Sequence, residues 1–407
     1  MYIKDNNFKN FEENNNTNFE HDKVTSNNLD NIENANLDDI NMFTKLIKNN
    51  DKIQLVNDIK IDDNINLNIE KLGAKEISYS LLTESKYYKP FRYPWAYEAW
   101  FAQQKMHWLS EEVTMSEDIR DWKDKLTSSE KNLLTQIFRF FTQSDIEVNN
   151  CYMMKYQRVF GPIEVKMMLS AFSNMETIHI DAYSKLIETI GMPETTYSAF
   201  LQYKEMKDKY EYMQKFDVNN LHNIALTLAV FGAFTEGLQL FSSFAILLNF
   251  PRFNKMKGMG QIVTWSVRDE SLHTASIIKL FKVFLQENPQ TNTEQLRGDI
   301  YRACTTIVHF EDAFIDRAFE VGDVHGLTSR EVKQYIRYLA DRRLLELGLK
   351  EVYMIEKNPL PWLEEMLNTA EFANFFEARA TTYAKSSTEE TWEKAFQNFD
   401  NYVNKNS

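Results

Sequence analysis

The sequence predicts an all-α protein, a bundle of long helices, and three observations carry that prediction. Only 11 glycines and 8 prolines occur in 407 residues, and both are scarce between Leu126 and Glu356. Apolar residues recur there in long runs at helical spacing. The 16 methionines fit helices better than many short strands.

Composition also excludes several classes. A net charge of −13 without any Lys/Arg block argues against a nucleic-acid surface. Cys151 and Cys304 are the only cysteines and form no CxxC, so neither a disulfide scaffold nor a thiolate zinc site is expected. A reducing cytoplasm fits, and the start MYIKDNNFKN lacks the regions of a secretion signal. The run Ile224 to Phe250 approaches membrane-spanning length. It carries Glu236 and Gln239 near its middle, which suits the centre of a large soluble bundle, and no membrane association is expected.

Residues 1–85 are rich in Asn and Asp (NFEENNNTNFEHD, DDNINLNIE) and read as a mostly disordered extension, with weak helix near Met42 to Ile47. Composition changes at Tyr87 to Trp100, where aromatics and prolines crowd, and a compact domain is expected over 86–362. Thr127 and Glu130 read as a capping box opening a helix to about Tyr156. Gly161-Pro162 punctuates, a second helix spans about Glu164 to Ile190, and Gly191-Met-Pro193 stops it. A shorter helix over about Glu194 to Phe216 precedes the apolar one, about Leu221 to Leu248, ended by Pro251. After a loop over Phe253 to Gly260, helices follow at about Gln261 to Glu287, Glu294 to Val321 and Ser329 to Leu349. Asn358-Pro-Leu-Pro-Trp362 closes the compact region, and 363–407 read as a tail.

Two of these helices contain Glu-x-x-His, Glu176-Thr-Ile-His179 and Glu270-Ser-Leu-His273. Positions i and i+3 share a helix face, so each pair offers a carboxylate and an imidazole to one site. Two lone acids lie in apolar helices, Asp145 in IFRFFTQSDIEV and Glu236 in AVFGAFTEGLQLF. Asp145 precedes Glu176 by 31 residues and Glu236 precedes Glu270 by 34, the interval at which an antiparallel hairpin of long helices returns to the same height. A lone buried Glu or His is ordinarily a hydrogen-bonded core residue. All six in this order form the ligand set of ferritin-like dimetal carboxylate proteins, a site between four core helices. Such hard oxygen and imidazole donors suit iron or manganese.

Around these residues the chain resembles the small subunit of class I ribonucleotide reductase, over about Tyr87 to Tyr383. The matching stretches are FRFFTQSDIEVNN, SNMETIHIDAYSKL, VRDESLHTA and NPLPW. The resemblance implies two metal ions, iron or else manganese, held by Asp145, Glu176, His179, Glu236, Glu270 and His273. It makes Tyr183, one turn after His179, the residue oxidised to a stored tyrosyl radical. The tyrosine argues against the subclass with phenylalanine there and a manganese–iron pair. Phe244 and Leu240 are candidates for the radical's apolar shell. Trp108, Asp269 and His179 would form a hydrogen-bonded route from metal to surface, and Tyr383 would bridge to a large partner subunit. Phe396, Phe399 and Tyr402 are candidate anchors on that partner. The resemblance further implies a homodimer, and no nucleotide site on this chain, which lacks a phosphate loop. Two other readings remain, a ferritin-like dimetal oxidase with its own small substrate and a non-catalytic helical interaction protein.

Overall fold

The computed structural model describes residues 80–367. The stretch up to residue 79 lies outside the described residues, as do Tyr383, Phe396, Phe399 and Tyr402 in the segment after 367.

Packing begins ahead of Tyr87, where order was expected to start. Leu81 is fully buried; its N–H donates to Glu287 Oε2 at 2.8 Å, and its carbonyl accepts from Gly161 N at 2.9 Å. A Cβ on Gly161 would stand 2.3 Å from the Thr83 carbonyl carbon, so only glycine allows this approach.

Helix α1, Pro94–Lys105, was not anticipated, because its buried face carries Ala96, Ala99 and Gln103, while Tyr97, Trp100 and Phe101 cluster away from it. Proline opens it, and the N–H groups of Arg92 and Tyr93 just ahead both donate to buried Glu164 Oε1 at 2.8 Å. Helix α2, Ser128–Asn150, starts at the expected capping box: Glu130 N donates to Thr127 Oγ1 at 3.2 Å and Thr127 N to Glu130 Oε2 at 2.9 Å. It continues as a π-helical segment, Cys151–Tyr156. Helix α3, Ile163–Thr189, is closed by Gly191 at φ +80°, a left-handed cap.

The helix expected over Glu194 to Phe216 is broken. Two short turns precede α4, Lys204–Met213, and Tyr203 between them is extended. Tertiary contact overrides local propensity here, since Tyr203 Oη accepts from Arg139 Nη1 at 2.7 Å and its ring meets the Arg139 and Arg317 guanidinium groups.

Helix α5, Leu221–Arg252, is the apolar one, and 94% of its most apolar window is buried inside the bundle. Pro251 lies within its last turn rather than beyond it. Its centre, Ala229–Leu240, is π-helical. Side chains satisfy carbonyls along that segment: Arg343 Nε donates to Gly237 O at 2.9 Å and Ser242 Oγ to Gln239 O at 2.8 Å. Helix α6, Lys257–Glu287, begins inside the stretch expected to be loop. Its first turn is capped from a distance, with Asp118 accepting from Gly258 N and Met259 N at 2.9 Å each, and Asp121 from Met256 N. Helices α7, Glu294–Ala318, and α8, Ser329–Glu346, follow.

Helix α2 packs along α3 and α5 along α6; α3 meets α6 and α2 meets α5, closing a four-helix core. Helix α1 covers α3 and α6, while α7 and α8 cover α5. Among the described residues β structure is confined to the isolated Val324–Leu327 bridge.

Candidate metal centre

Each core helix sends acid or imidazole inward at one level. Helix α2 supplies Asp145, α3 supplies Glu176 and His179, α5 supplies Glu236, and α6 supplies Glu270 and His273; all six are at most 1% exposed. Donor atoms of Glu176, Glu236, Glu270 and His273 lie within 4.8 Å of one another, a group that could hold a metal ion. His179 Nδ1 stands 3.2 Å from Glu270 Oε1 and 3.7 Å from Glu176 Oε2. His273 Nδ1 stands 3.1 Å from Glu176 Oε1 and 3.5 Å from Glu270 Oε2. Glu176 and Glu270 therefore face both imidazoles, as carboxylates shared between two positions would.

The inward atoms crowd together without bonding one another. Asp145 Oδ2, Glu236 Oε2, both oxygens of Glu176 and Glu270, and His273 Nδ1 are buried with no hydrogen-bond partner. Buried polar atoms left this way are costly, and so many converging at one point fit cations that the protein alone lacks. Four carboxylates and two imidazoles match a pair of hard or borderline ions.

Groups this close shift one another's affinity for protons. Burial, followed by the charge of Glu176, pushes the Asp145 carboxyl well above its usual range; burial and then Glu270 do the same to Glu236. Burial opposes charge on the imidazoles, but the acids around them prevail. His179 is held well above its ordinary value by its hydrogen bond to Asp269 and by the carboxylates of Glu176 and Glu270, and His273 is pushed up to about 10, chiefly by Glu270. Burial alone would raise Glu270, yet the two histidines bring it below the usual carboxylate range.

The outward nitrogens of the histidines are tied down. His179 Nε2 lies 3.2 Å from Asp269 Oδ2, which also accepts from Trp108 Nε1 at 2.8 Å. His273 Nε2 lies 3.1 Å from Gln103 Oε1, and Gln103 Nε2 donates to Asp269 Oδ1 at 3.2 Å. With the ring hydrogens assigned to these outward atoms, both Nδ1 atoms face the carboxylates. Trp108 is buried, its ring centroid 5.9 Å from that of His179. Tyr183, 1% exposed, donates to Ser266 Oγ at 3.0 Å. Phe141 meets its ring edge-on at 4.5 Å, with Phe244 edge-on to Phe141 in turn; Leu240 is buried. Burial and then the Asp145 charge raise the Tyr183 hydroxyl well above the usual phenol range.

Three residues at the site escaped the sequence reading. Gln103 and Ser266 carry no motif, and Tyr152, whose hydroxyl donates to Glu236 Oε1 at 2.5 Å, was not singled out. Tyr152 follows Asp145 by seven residues, the helical spacing that marked Tyr183 after Glu176, and this was the available signal.

A fold with this site is that of dimetal carboxylate proteins, and comparison with known proteins narrows the class. Residues 85–359 match the family described as "Ribonucleotide reductase, small chain". A probable ribonucleoside-diphosphate reductase small subunit of Invertebrate iridescent virus 6 is 45% identical over 352 residues, covering 77% of this chain and 98% of that protein. The ribonucleoside-diphosphate reductase subunit beta of Chlamydia pneumoniae is 28% identical over 309 residues, covering 72% and 88%. Among solved structures, the ribonucleotide reductase R2 subunit of Clostridium botulinum superposes with a TM-score of 0.66 at 24% identity, covering 71% of this chain and 94% of that one. The chain belongs to the ribonucleotide reductase small chain family, with the oxidoreductase role of a ribonucleoside-diphosphate reductase small subunit.

Proposed function

We propose that Asp145, Glu176, His179, Glu236, Glu270 and His273 hold two metal ions, iron or else manganese, and that Tyr183 stores the oxidising equivalent as a radical. The observation supporting this reading is the set of unpartnered donor atoms facing one another between four helices. Metal bound there would supply an oxidant strong enough to take an electron from a phenol. The protein's part is position and dryness. Ser266 holds the Tyr183 hydroxyl in place, and Phe141, Phe244 and Leu240 keep water and reductants from its ring.

Trp108, Asp269 and His179 form the route along which the equivalent leaves, because one carboxylate oxygen accepts from both rings and can hold the proton that moves with the electron. The recipient is the large subunit, where ribonucleotide is reduced. Segment 363–407 docks there, with Tyr383 bridging the subunits, and two copies of the chain pair as a homodimer. The protein works in the cytoplasm.

Metal quantification together with electron paramagnetic resonance tests the centre. Wild-type protein reconstituted with iron or manganese should carry two ions per chain and a tyrosyl signal. Tyr183→Phe should keep metal and helicity while losing the wild-type line shape of that signal and ribonucleotide reduction. Full turnover in this variant would place the stored radical elsewhere.

A further inference from the structure

Tyr152 and Tyr183 flank the site from different sides. Tyr183 feels the Asp145 charge, whereas Tyr152 lies edge-on to His273 with ring centroids 6.1 Å apart. Both rings are 1% exposed. They differ in what can take their hydrogen. A phenol that loses an electron becomes strongly acidic, so a base in contact that accepts its proton eases the oxidation. The Tyr183 hydroxyl meets the neutral hydroxyl of Ser266, whose own hydrogen goes to Ile262 O at 3.1 Å. The Tyr152 hydroxyl meets a carboxylate, Glu236 Oε1, at 2.5 Å. Tyr152 and Glu236 both sit on π-helical segments, a backbone form that recurs at functional sites.

We propose that Tyr152 is a second redox-active tyrosine of this site, serving the position beside His273 when Tyr183 does not supply the electron. The proposal rests on the dimetal reading above. One electron passes from the Tyr152 ring to the oxidised dimetal centre, which is reduced by one equivalent. The Tyr152 O–H bond breaks, its proton joins Glu236 Oε1, and a neutral phenoxyl radical remains. The Tyr156 ring, edge-on at 5.9 Å, is the next oxidisable group in line. The arrangement gives an unused oxidant a reserve donor instead of leaving it to attack the ligands.

The test uses the full chain with Tyr183→Phe, loaded with ferrous iron and exposed to dioxygen, with iron counted in every sample. A tyrosyl signal should persist with a line shape unlike wild type. It should narrow with ring-deuterated tyrosine and vanish in Tyr183→Phe/Tyr152→Phe. Fluorotyrosine placed at position 152 alone, which preserves the side chain and its packing, should add a fluorine splitting to the Tyr183→Phe signal. Fully metallated Tyr183→Phe without any tyrosyl signal would overturn the proposal, as would a signal that survives the double substitution or shows no fluorine splitting. Failure of the wild-type chain to take up metal would overturn the dimetal reading, and this proposal with it.

Discussion

Replacing Gln103 by leucine removes a side chain that braces both imidazoles from behind while leaving every ligand atom in place. The Gln103 amide accepts from His273 Nε2 at 3.1 Å and donates to Asp269 Oδ1 at 3.2 Å, and it is 1% exposed. Leucine fills similar space but strands the His273 N–H away from water, a cost of about 1–3 kcal/mol. Loss of a hydrogen bond behind a metal-bound histidine weakens metal binding about 10–100-fold, or about 1.4–2.8 kcal/mol at about 1.4 kcal/mol per decade. The two magnitudes agree. Asp269 keeps contacts from Arg268, Trp108 and His179, so the loss should fall on the His273 side. A chelator competition with manganous ion, resolved into two binding steps, should show one step weakened within that range and the other moved far less. Gln103→Glu should recover part of it, because a carboxylate still accepts from His273. Unchanged affinity at both steps, or equal weakening of both, would refute the reasoning.

Trp108→Phe removes the donor to Asp269 Oδ2 without touching the ligands, so metal content and the Tyr183 signal should stay while ribonucleotide reduction with the large subunit falls by orders of magnitude. The pH dependence of the metal-free chain has a definite sign. With His273 raised to about 10 when folded, its contribution to stability is complete below about pH 6.5 and is lost as pH rises toward about 10. The raised Asp145 and Glu236 carboxyls act in the same direction. The melting temperature without metal should therefore fall over that window, and the increase produced by metal should grow with pH, because binding expels protons the site otherwise keeps. Gly161→Ala forces a Cβ against the Thr83 backbone, and denaturant titration should show a loss of about 3 kcal/mol, with Leu81 released from its seat.

Much of the bundle was legible because its signals are local. Helical spacing of apolar residues, the Thr127–Glu130 box and the Gly191 stop lie within a few residues of what they control. The pairs Glu176/His179 and Glu270/His273 were legible for the same reason, since i and i+3 share a face whatever surrounds the helix. The lone acids Asp145 and Glu236 were marked by apolar neighbours on which an unpaired carboxylate would be costly.

What escaped is non-local. The start of α6 depends on Asp118 and Asp121, more than 130 residues earlier in the chain, and no window around Lys257 contains them. Helix α4 was shortened by Arg139 and Arg317 reaching Tyr203 from other helices. Gln103 joins the two histidines only because α1 crosses α3 and α6, and Tyr152 meets Glu236 across 84 residues of chain that no local window spans. By itself the sequence determined which side chains are too polar to sit in an oily helix without a purpose. Only the tertiary structure decided which atom each one faces, because hydrogen bonds act over about 3 Å and chain separation says nothing at that scale.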